Sequence, residues 1–461
     1  MKLYFPLICS VCLLCASTAR AATSAELFAE RVKSVVAVEF VVQTEVERRP
    51  VFVLGSVIDT QGTIIIPGAA INPGIAPDQL KDLKVYRPDS SEPFAAVYLG
   101  QDALTGWHFV RAEEKLRPQL VPLTHWPAAP AEPALGEELW GIGLRNKDED
   151  CQPYFLSGKV GLVTRLPQKT AILLSEVAGP GLPAFDRAGR FVGLAQTSFG
   201  QNFLLFSRTQ SATPVMLLNL EESSVLLLAD EVLPHLGRVP QNPQGRPIPW
   251  LGVYGLQPVD PQVAKFLHLE NQSGVVLSDI LEGGPAARAG LQERDIVLAI
   301  DGRPMPHFKP DRIGMAYLGQ EILGRRPGDK VRFTILRGTE RRDLGVTLGD
   351  EPRMVREADR SYFERLGFTI REFLVNDGIA QRAKSAERTG VMVHFVKPNG
   401  PVATAGLRPD DWVREIDGEE MKTYDQAVQR LRTVETDATR PQLVLLVSRG
   451  GETTVLRAKL N

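Results

Sequence analysis

The chain has 461 residues, of which 43% are hydrophobic and 23% are charged, and its formal net charge is -2. This is the composition of a globular protein with about three domains, at roughly 100–200 residues each. The 53 basic and 55 acidic residues balance and form no long run of one sign, which argues against a nucleic-acid-binding face.

The N-terminus reads as a signal peptide over residues 1–21. Lys2 supplies a positive charge, Leu3 to Ala16 is almost wholly apolar, and Ala19 to Ala21 forms an A-x-A cleavage signal. Cleavage and export to the periplasm or the medium are therefore expected, with an uncleaved membrane anchor as the alternative. No later stretch is apolar enough to predict a membrane span. Of the four cysteines only Cys151 lies beyond this segment, so no internal disulfide is expected, and a buried or idle thiol rather than a nucleophile is predicted there.

The next region, residues 22–235, carries β-strand patterns. Thr23 and Glu26 predict a capping box that opens a short helix. Short apolar runs rich in β-branched and aromatic residues then recur from Val35 to Phe206, separated by Gly, Pro and Asp. This pattern predicts an all-β sandwich or barrel. Residues 236–248 are rich in proline and glycine, which predicts a semi-extended linker.

The remaining sequence contains an internal repeat. Ser273 to Gly302 and Thr389 to Gly418 align without a gap, and each is followed by a helix-like run and a terminal strand. A repeat of this length and order indicates two copies of one domain. These copies are predicted at residues 249–350 and 360–461.

The repeat resembles a PDZ domain in the permuted form found in HtrA (DegP-like) periplasmic proteases. The shared motifs are an L-G-[VF] loop, a G-P-A/V-A-x-A-G-L turn and helix, and a D-x-V-x-x-I-D-G strand. Residues 22–235 resemble the trypsin-like domain of that family more weakly, and best at Pro183 to Gly193. The resemblance implies a mainly β chain, with a trypsin-like double β-barrel followed by two α+β PDZ domains.

Three segments align with the catalytic stretches of such proteases, but each lacks the residue that performs the chemistry. Ala69 stands where a histidine is expected, Gly106 where an aspartate is expected, and Pro180 where the nucleophilic serine is expected. Pro180 also has no backbone N–H to stabilise an oxyanion. His108 is interpreted as a satisfied or surface residue rather than a replacement base. The sequence therefore predicts a degenerate protease domain without catalytic residues, and neither a cofactor nor a metal site is expected.

The PDZ resemblance implies peptide binding by strand addition to a sheet edge. The N–H groups of the L-G-[VF] loop can receive a terminal carboxylate, and apolar residues of the loop and a neighbouring helix can form a pocket. The residues predicted for the first domain are Leu251, Gly252, Val253, Ile313 and Tyr317. Those predicted for the second domain are Leu366, Gly367, Phe368, Val428 and Leu431. The alternative is that the two domains serve assembly and bind no free peptide.

Together these features predict a periplasmic or secreted HtrA-like pseudoprotease. Its expected partners are C-terminal or unfolded polypeptide segments, which it would bind as a holdase, as an adaptor or as a regulator of an active relative. The resemblance also suggests a homo-oligomer. Two other hypotheses stay open: an active serine endopeptidase with a rearranged site, and a structural scaffold of the cell envelope.

Overall fold

The structure is a computed structural model that describes residues 22–196, 203–206, 214–217, 224–269, 271–309, 311–381, 383 and 388–460. The predicted signal peptide lies outside these residues. None of the helices in the described ranges is long and apolar enough to cross a bilayer.

Helix α1 (Ser24–Arg31) begins at the predicted capping box. The Glu26 N–H donates to Thr23 Oγ1, and the Thr23 N–H donates to the Glu26 carboxylate. Six strands then close a barrel in the order β1-β2-β3-β6-β5-β4. Their bounds are β1 (Val35–Gln43), β2 (Arg48–Val57), β3 (Thr63–Ile66), β4 (Leu80–Tyr86), β5 (Phe94–Gln101) and β6 (His108–Ala112).

A second barrel follows in the order β10-β11-β14-β9-β8-β7. Its strands are β7 (Glu138–Leu144), β8 (Pro153–Thr164), β9 (Thr170–Leu173), β10 (Pro183–Phe185), β11 (Phe191–Ala195) and β14 (Ser224–Leu228). Two more strands, β12 (Phe203–Phe206) and β13 (Pro214–Leu217), pair with each other, and helix α2 (Ala229–Val232) follows the barrel.

Strand β1 shows how the sequence sets up two adjacent cores. Because side chains alternate across a strand, its even-numbered residues such as Val36 and Val38 pack inside the first barrel. Val35 and Ala37 face the other way, into a core shared with the second barrel. The two barrels are therefore packed against each other, and the loops at their junction are held by both.

The two repeat units share the same order of strands in their sheets. The first unit has the sheet β16-β17-β18-β20-β21, with β19 paired to β18, and the second has the sheet β24-β25-β26-β28-β29, with β27 paired to β26. The second sheet gains one further strand, β23, beside β24.

The strands of the first unit are β15 (Pro249–Trp250), β16 (Val253–Pro258), β17 (Val275–Ile280), β18 (Ile296–Ile300), β19 (Arg303–Pro304), β20 (Lys330–Arg337), β21 (Glu340–Thr347) and β22 (Gly349–Asp350). Those of the second are β23 (Arg360–Phe363), β24 (Phe368–Glu372), β25 (Val391–Val396), β26 (Trp412–Ile416), β27 (Glu419–Glu420), β28 (Gln442–Arg449) and β29 (Glu452–Lys459). The helices are α3 (Pro261–Phe266), α4 (Pro285–Arg288) and α5 (Ile313–Leu323), then α6 (Val375–Ala380), α7 (Pro401–Thr404) and α8 (Tyr424–Thr436).

The proline-rich segment 236–248, which was predicted to be a semi-extended linker, is docked on its surroundings. Arg238 Nε donates to Asp102 Oδ1 of the first barrel over 3.0 Å, and its Nη2 donates to the Leu323 carbonyl of the first repeat unit over 3.3 Å. Arg246 donates to both carboxylate oxygens of Glu357, over 2.7 and 2.6 Å. Two arginines thus tie the segment to its surroundings, a role that its composition does not reveal. Where the domains divide stays a prediction.

Candidate functional site

The three positions predicted as a degenerate triad lie on loops that meet where the barrels join. A Cβ built on the residue before Ala69 would lie 2.6 Å from the Gly106 carbonyl oxygen. A Cβ built on the residue after Pro180 would lie 2.8 Å from the ring of Pro67. Ala69 and Pro180 are exposed, and Gly106 is half-buried. The segments predicted from sequence are therefore neighbours, with no space for a side chain at either close approach.

The loop that carries Pro180 is a tight turn over residues 179–182. Leu182 N–H donates to the Gly179 carbonyl over 2.9 Å, and Gly181 has a φ of 81°. A type II turn needs a positive φ at its third residue and favours proline at its second, so this sequence suits the turn. Gly179 N–H donates to a β7 carbonyl over 3.0 Å, and Gly181 N–H donates to a β11 carbonyl over 2.7 Å. Each N–H of the turn therefore has a protein acceptor, and Pro180 has no N–H.

His108 is buried directly behind these loops, with 2% of its surface exposed. One ring nitrogen, Nε2, lies 3.2 Å from the Gly68 carbonyl oxygen, and the other, Nδ1, lies 2.8 Å from the Tyr98 hydroxyl. Because a carbonyl only accepts, Nε2 carries the hydrogen and Nδ1 accepts from Tyr98. Burial lowers the pKa of His108 to about 4. The histidine is therefore neutral near pH 7 and satisfied on both nitrogens.

His108 should make the first barrel sensitive to acid. Its pKa of about 4 in the folded chain lies below the ordinary value of 6.5, so the unfolded state takes up the proton first as pH falls. Its contribution to stability is full above about pH 6.5 and is lost as pH falls toward 4. Between pH 7.5 and 4.5 the chain should lose about 2 kcal/mol more unfolding free energy than its His108→Gln variant. Denaturant unfolding at both pH values measures this, and equal losses would contradict it.

Cys151 lies in the loop between β7 and β8. It is fully buried, and burial raises the pKa of its thiol to about 11, so the thiol stays protonated. Within the described ranges, no three or more His, Cys, Asp and Glu side chains come together in a group that could hold a metal ion.

The first repeat unit has an open groove between β16 and α5. Strand β16 pairs with β17 on one edge, and among the described strands nothing pairs with its other edge. Gly252, in the loop before β16, has a φ of 83°, and its N–H has no acceptor in the described part of the chain. A cavity of about 160 Å³ lies beside this loop. Its walls include Leu251, Val253 and Leu256 from the strand side, and Leu318, Gly319 and Ile322 from the helix.

The helix side of this groove differs from the sequence prediction. Ile313 and Tyr317 do not line the cavity, and the Tyr317 ring instead packs 5.3 Å from the ring of Phe308. Leu318 and Ile322, one residue and five residues beyond Tyr317, face the groove in their place. Helical periodicity predicts an apolar face but cannot say which part of it turns toward the sheet and which toward a ligand.

In the second repeat unit, the apolar residues predicted to bind a peptide belong to the domain core or pack against it. Leu366, Phe368 and Leu431 are buried in its core, and Val428 packs against the same core. Both edges of β24 are paired, one with β25 and the other with β23. The chain itself therefore covers the edge of β24 that corresponds to the open edge of β16 in the first unit.

Comparisons with known proteins agree with this architecture. The family model for the PDZ domain matches residues 255–348. The chain is 29% identical over 272 residues to "Probable periplasmic serine endoprotease DegP-like" of Ectopseudomonas mendocina (strain ymp), covering 56% of this chain and 48% of that protein. It is 31% identical over 194 residues to the protein of the same name from Pseudomonas fulva (strain 12-X), covering 40% and 38%. These similarities support an HtrA/DegP-like family for the chain.

The fold of the chain also resembles a solved structure. "HtrA-type protease AlgW with decapeptide" superposes with a TM-score of 0.51 at 15% identity, covering 72% of this chain and 100% of that one. At that identity the likeness concerns the fold alone. It confirms the predicted trypsin-like double barrel followed by a PDZ domain, and the second repeat unit has the strand order of the first. The alignments to the two curated relatives span about half of those proteins or less.

The catalytic and peptide-binding positions stay predictions. The first PDZ domain is the unit with the open groove, and the second is the unit whose sheet gains β23. The sequence prediction did not include Leu318, Gly319 and Ile322 in the first groove. The apolar run of α5 contains these residues and is the signal that could have indicated them. The sequence prediction also missed the pairing of β23, for which the alternating sequence Arg360–Phe363 is a weak signal.

Proposed function

We propose that this chain is a non-catalytic HtrA/DegP-like protein that captures polypeptide C-termini or unfolded segments. The observation that carries the proposal is the groove of the first PDZ domain, where the unpaired edge of β16 lies beside an apolar cavity. We infer that it works in the periplasm or outside the cell, in line with the periplasmic naming of its relatives. As a holdase or adaptor it would hold its ligand without cutting it.

The chemistry of the groove suits a hydrophobic C-terminal residue. The edge of β16 offers backbone groups that can pair with an extended peptide. Gly252 offers an N–H with no acceptor in the described part of the chain, which can donate to a terminal carboxylate. The cavity of about 160 Å³, with leucine and isoleucine in its walls, is of the size of one aliphatic or aromatic side chain. Together these three contacts would recognise an extended backbone, a C-terminal carboxylate and the last side chain of the peptide.

The absence of catalysis is supported by the junction of the barrels. Serine-protease chemistry needs a nucleophile, a base and donors for the oxyanion. Ala69 and Pro180 supply neither of the first two, and the turn at residues 179–182 directs its N–H groups into the protein. An active endopeptidase would need another base, and His108 is buried with both nitrogens in use.

Two measurements on the full chain without residues 1–21 test the proposal. Peptides that end in a free hydrophobic residue should bind with micromolar affinity in calorimetry, and amidation of that end should weaken binding by at least about tenfold. Labelled, unfolded casein should not be cleaved above the background of a mock purification. Cleavage that a single serine substitution abolishes would select the active endopeptidase. A chain that neither binds nor cleaves would select the structural scaffold.

A further inference from the structure

We infer that the peptide groove of the second PDZ domain is already occupied by the chain's own strand β23, Arg360–Phe363, which lies there as a C-terminal ligand would. The inference rests on the proposed function only in treating a PDZ groove as a peptide site. It assigns free-peptide capture to the first domain. A peptide can enter the second groove only by displacing β23.

The first support is the sheet edge. Strand β23 runs antiparallel to β24, with Phe363 opposite Phe368 and Arg360 opposite Arg371. The other edge of β24 is held by β25. Strand addition is how PDZ domains take an extended peptide, and here the added strand belongs to the same chain. In the first domain the corresponding edge of β16 has no such partner among the described strands.

The second support is the carboxylate-binding loop. Gly367 N–H donates to the Phe363 carbonyl over 2.8 Å. Gly252 holds the equivalent place in the first domain, with nearly the same φ (83° against 76°), and its N–H has no acceptor in the described part of the chain. The two glycines have nearly the same φ and differ in whether a carbonyl accepts from the N–H. Phe363 therefore occupies the position of a terminal residue.

The third support is the side chains of β23, which face α8. Phe363 is 1% exposed, and its ring lies 5.9 Å from that of Phe368 within the domain core. Ser361, two residues earlier and so on the same side of the strand, has its Oγ 2.8 Å from the hydroxyl of Tyr424. Tyr424 is the first residue of α8. The segment Ser-Tyr-Phe thus fills a pocket with its last side chain and hydrogen-bonds the helix with the residue two places before it.

Strand β23 is also attached to the first barrel. Arg360 Nη2 lies 2.7 Å from Asp78 Oδ1, and its Nη1 donates to Gln79 Oε1 over 3.2 Å. On the neighbouring strand, Thr369 Oγ1 donates to Glu45 Oε1 over 3.0 Å. A peptide that displaced β23 would pull Arg360 away from the barrel. Opening of the second groove is therefore coupled to the contact between this domain and the first barrel.

Tethering makes β23 a strong competitor. A segment held in the same chain acts at an effective concentration in the millimolar range, and the apparent affinity of a free peptide falls by the fraction of open groove. A free peptide that ends in -Arg-Ser-Tyr-Phe, with the same contacts, should therefore bind the second groove only when β23 is weakened.

Hydrogen exchange of the full chain, without ligand, tests the occupied state. The Gly367 amide should exchange at least about 100-fold more slowly than the Gly252 amide, because it alone has an acceptor. Equal exchange at the two glycines would overturn the inference. This result does not depend on whether the first domain binds peptides, so it separates failure of the inference from failure of the proposed function.

A competition experiment tests the ligand-like role. The first groove is blocked by Gly319→Phe, and the probe is the acetylated peptide with the free C-terminus -Arg-Ser-Tyr-Phe. With β23 intact no binding is expected, whereas Ser361→Ala with Phe363→Ala should allow micromolar binding. Tight binding with β23 intact, or none to a folded double variant, would overturn the inference. If the double variant melts early, the exchange experiment decides.

Discussion

Gly319→Phe should weaken binding of hydrophobic C-terminal peptides to the first PDZ domain by at least about 100-fold, which is about 2.7 kcal/mol. Gly319 lies on α5 in the wall of the cavity, and no atom lies within 4 Å of a Cβ built on it. The benzyl group therefore has room to enter the cavity that the ligand would use. Replacing a helical glycine should also raise helix stability by up to about 1 kcal/mol, so lost binding would not reflect unfolding.

Gly319→Ala is the matched control. It makes a larger gain in helix propensity than phenylalanine does and adds only one methyl group, so it should keep most of the affinity. Calorimetry with a free-carboxylate peptide and thermal melting of all three proteins measure both effects. If the phenylalanine variant bound as tightly as the alanine variant, the peptide site would lie elsewhere.

Restoring the triad with Ala69→His, Gly106→Asp and Pro180→Ser should leave turnover of unfolded casein at least about 1000-fold below that of an active DegP-like relative. The turn at residues 179–182 donates its N–H groups to carbonyls of the chain, and loss of one oxyanion donor costs about 100- to 1000-fold. Gly106 has a φ of 71°, which strains a side chain placed there. A misplacement of about 1 Å in the restored groups can cost a further 100-fold.

The relative serves as the positive control for this assay, and the single Pro180→Ser variant shows whether the turn tolerates serine. Thermal melting separates an inactive folded protein from an unfolded one. Turnover within tenfold of the relative would mean that the loop keeps a catalytic shape, and the active-endopeptidase hypothesis would gain support.

Local sequence patterns predicted those features that depend on neighbouring residues. The capping box at Thr23 and Glu26 needs only one turn of helix, and it is present. The repeat predicted two equivalent units, and both have the same strand order. The position of Pro180 was predicted from the strand pair that follows it, and the turn around it has the geometry that proline and glycine favour. The phase of α5 in the first groove was not predictable, because an apolar stripe does not state which elements it faces.

By itself the sequence predicted the order of the domains and the loss of the catalytic side chains, and it contains two L-G-[VF] loops. It could not determine which of those loops is free, since Gly252 and Gly367 both stand in an L-G-[VF] motif and have nearly the same φ. That difference depends on whether the preceding chain turns back onto the sheet edge, as β23 does on β24. The pairing is a tertiary event, stabilised by Phe363 in the core and by Arg360 on the first barrel, so only the folded chain distinguishes the open groove from the occupied one.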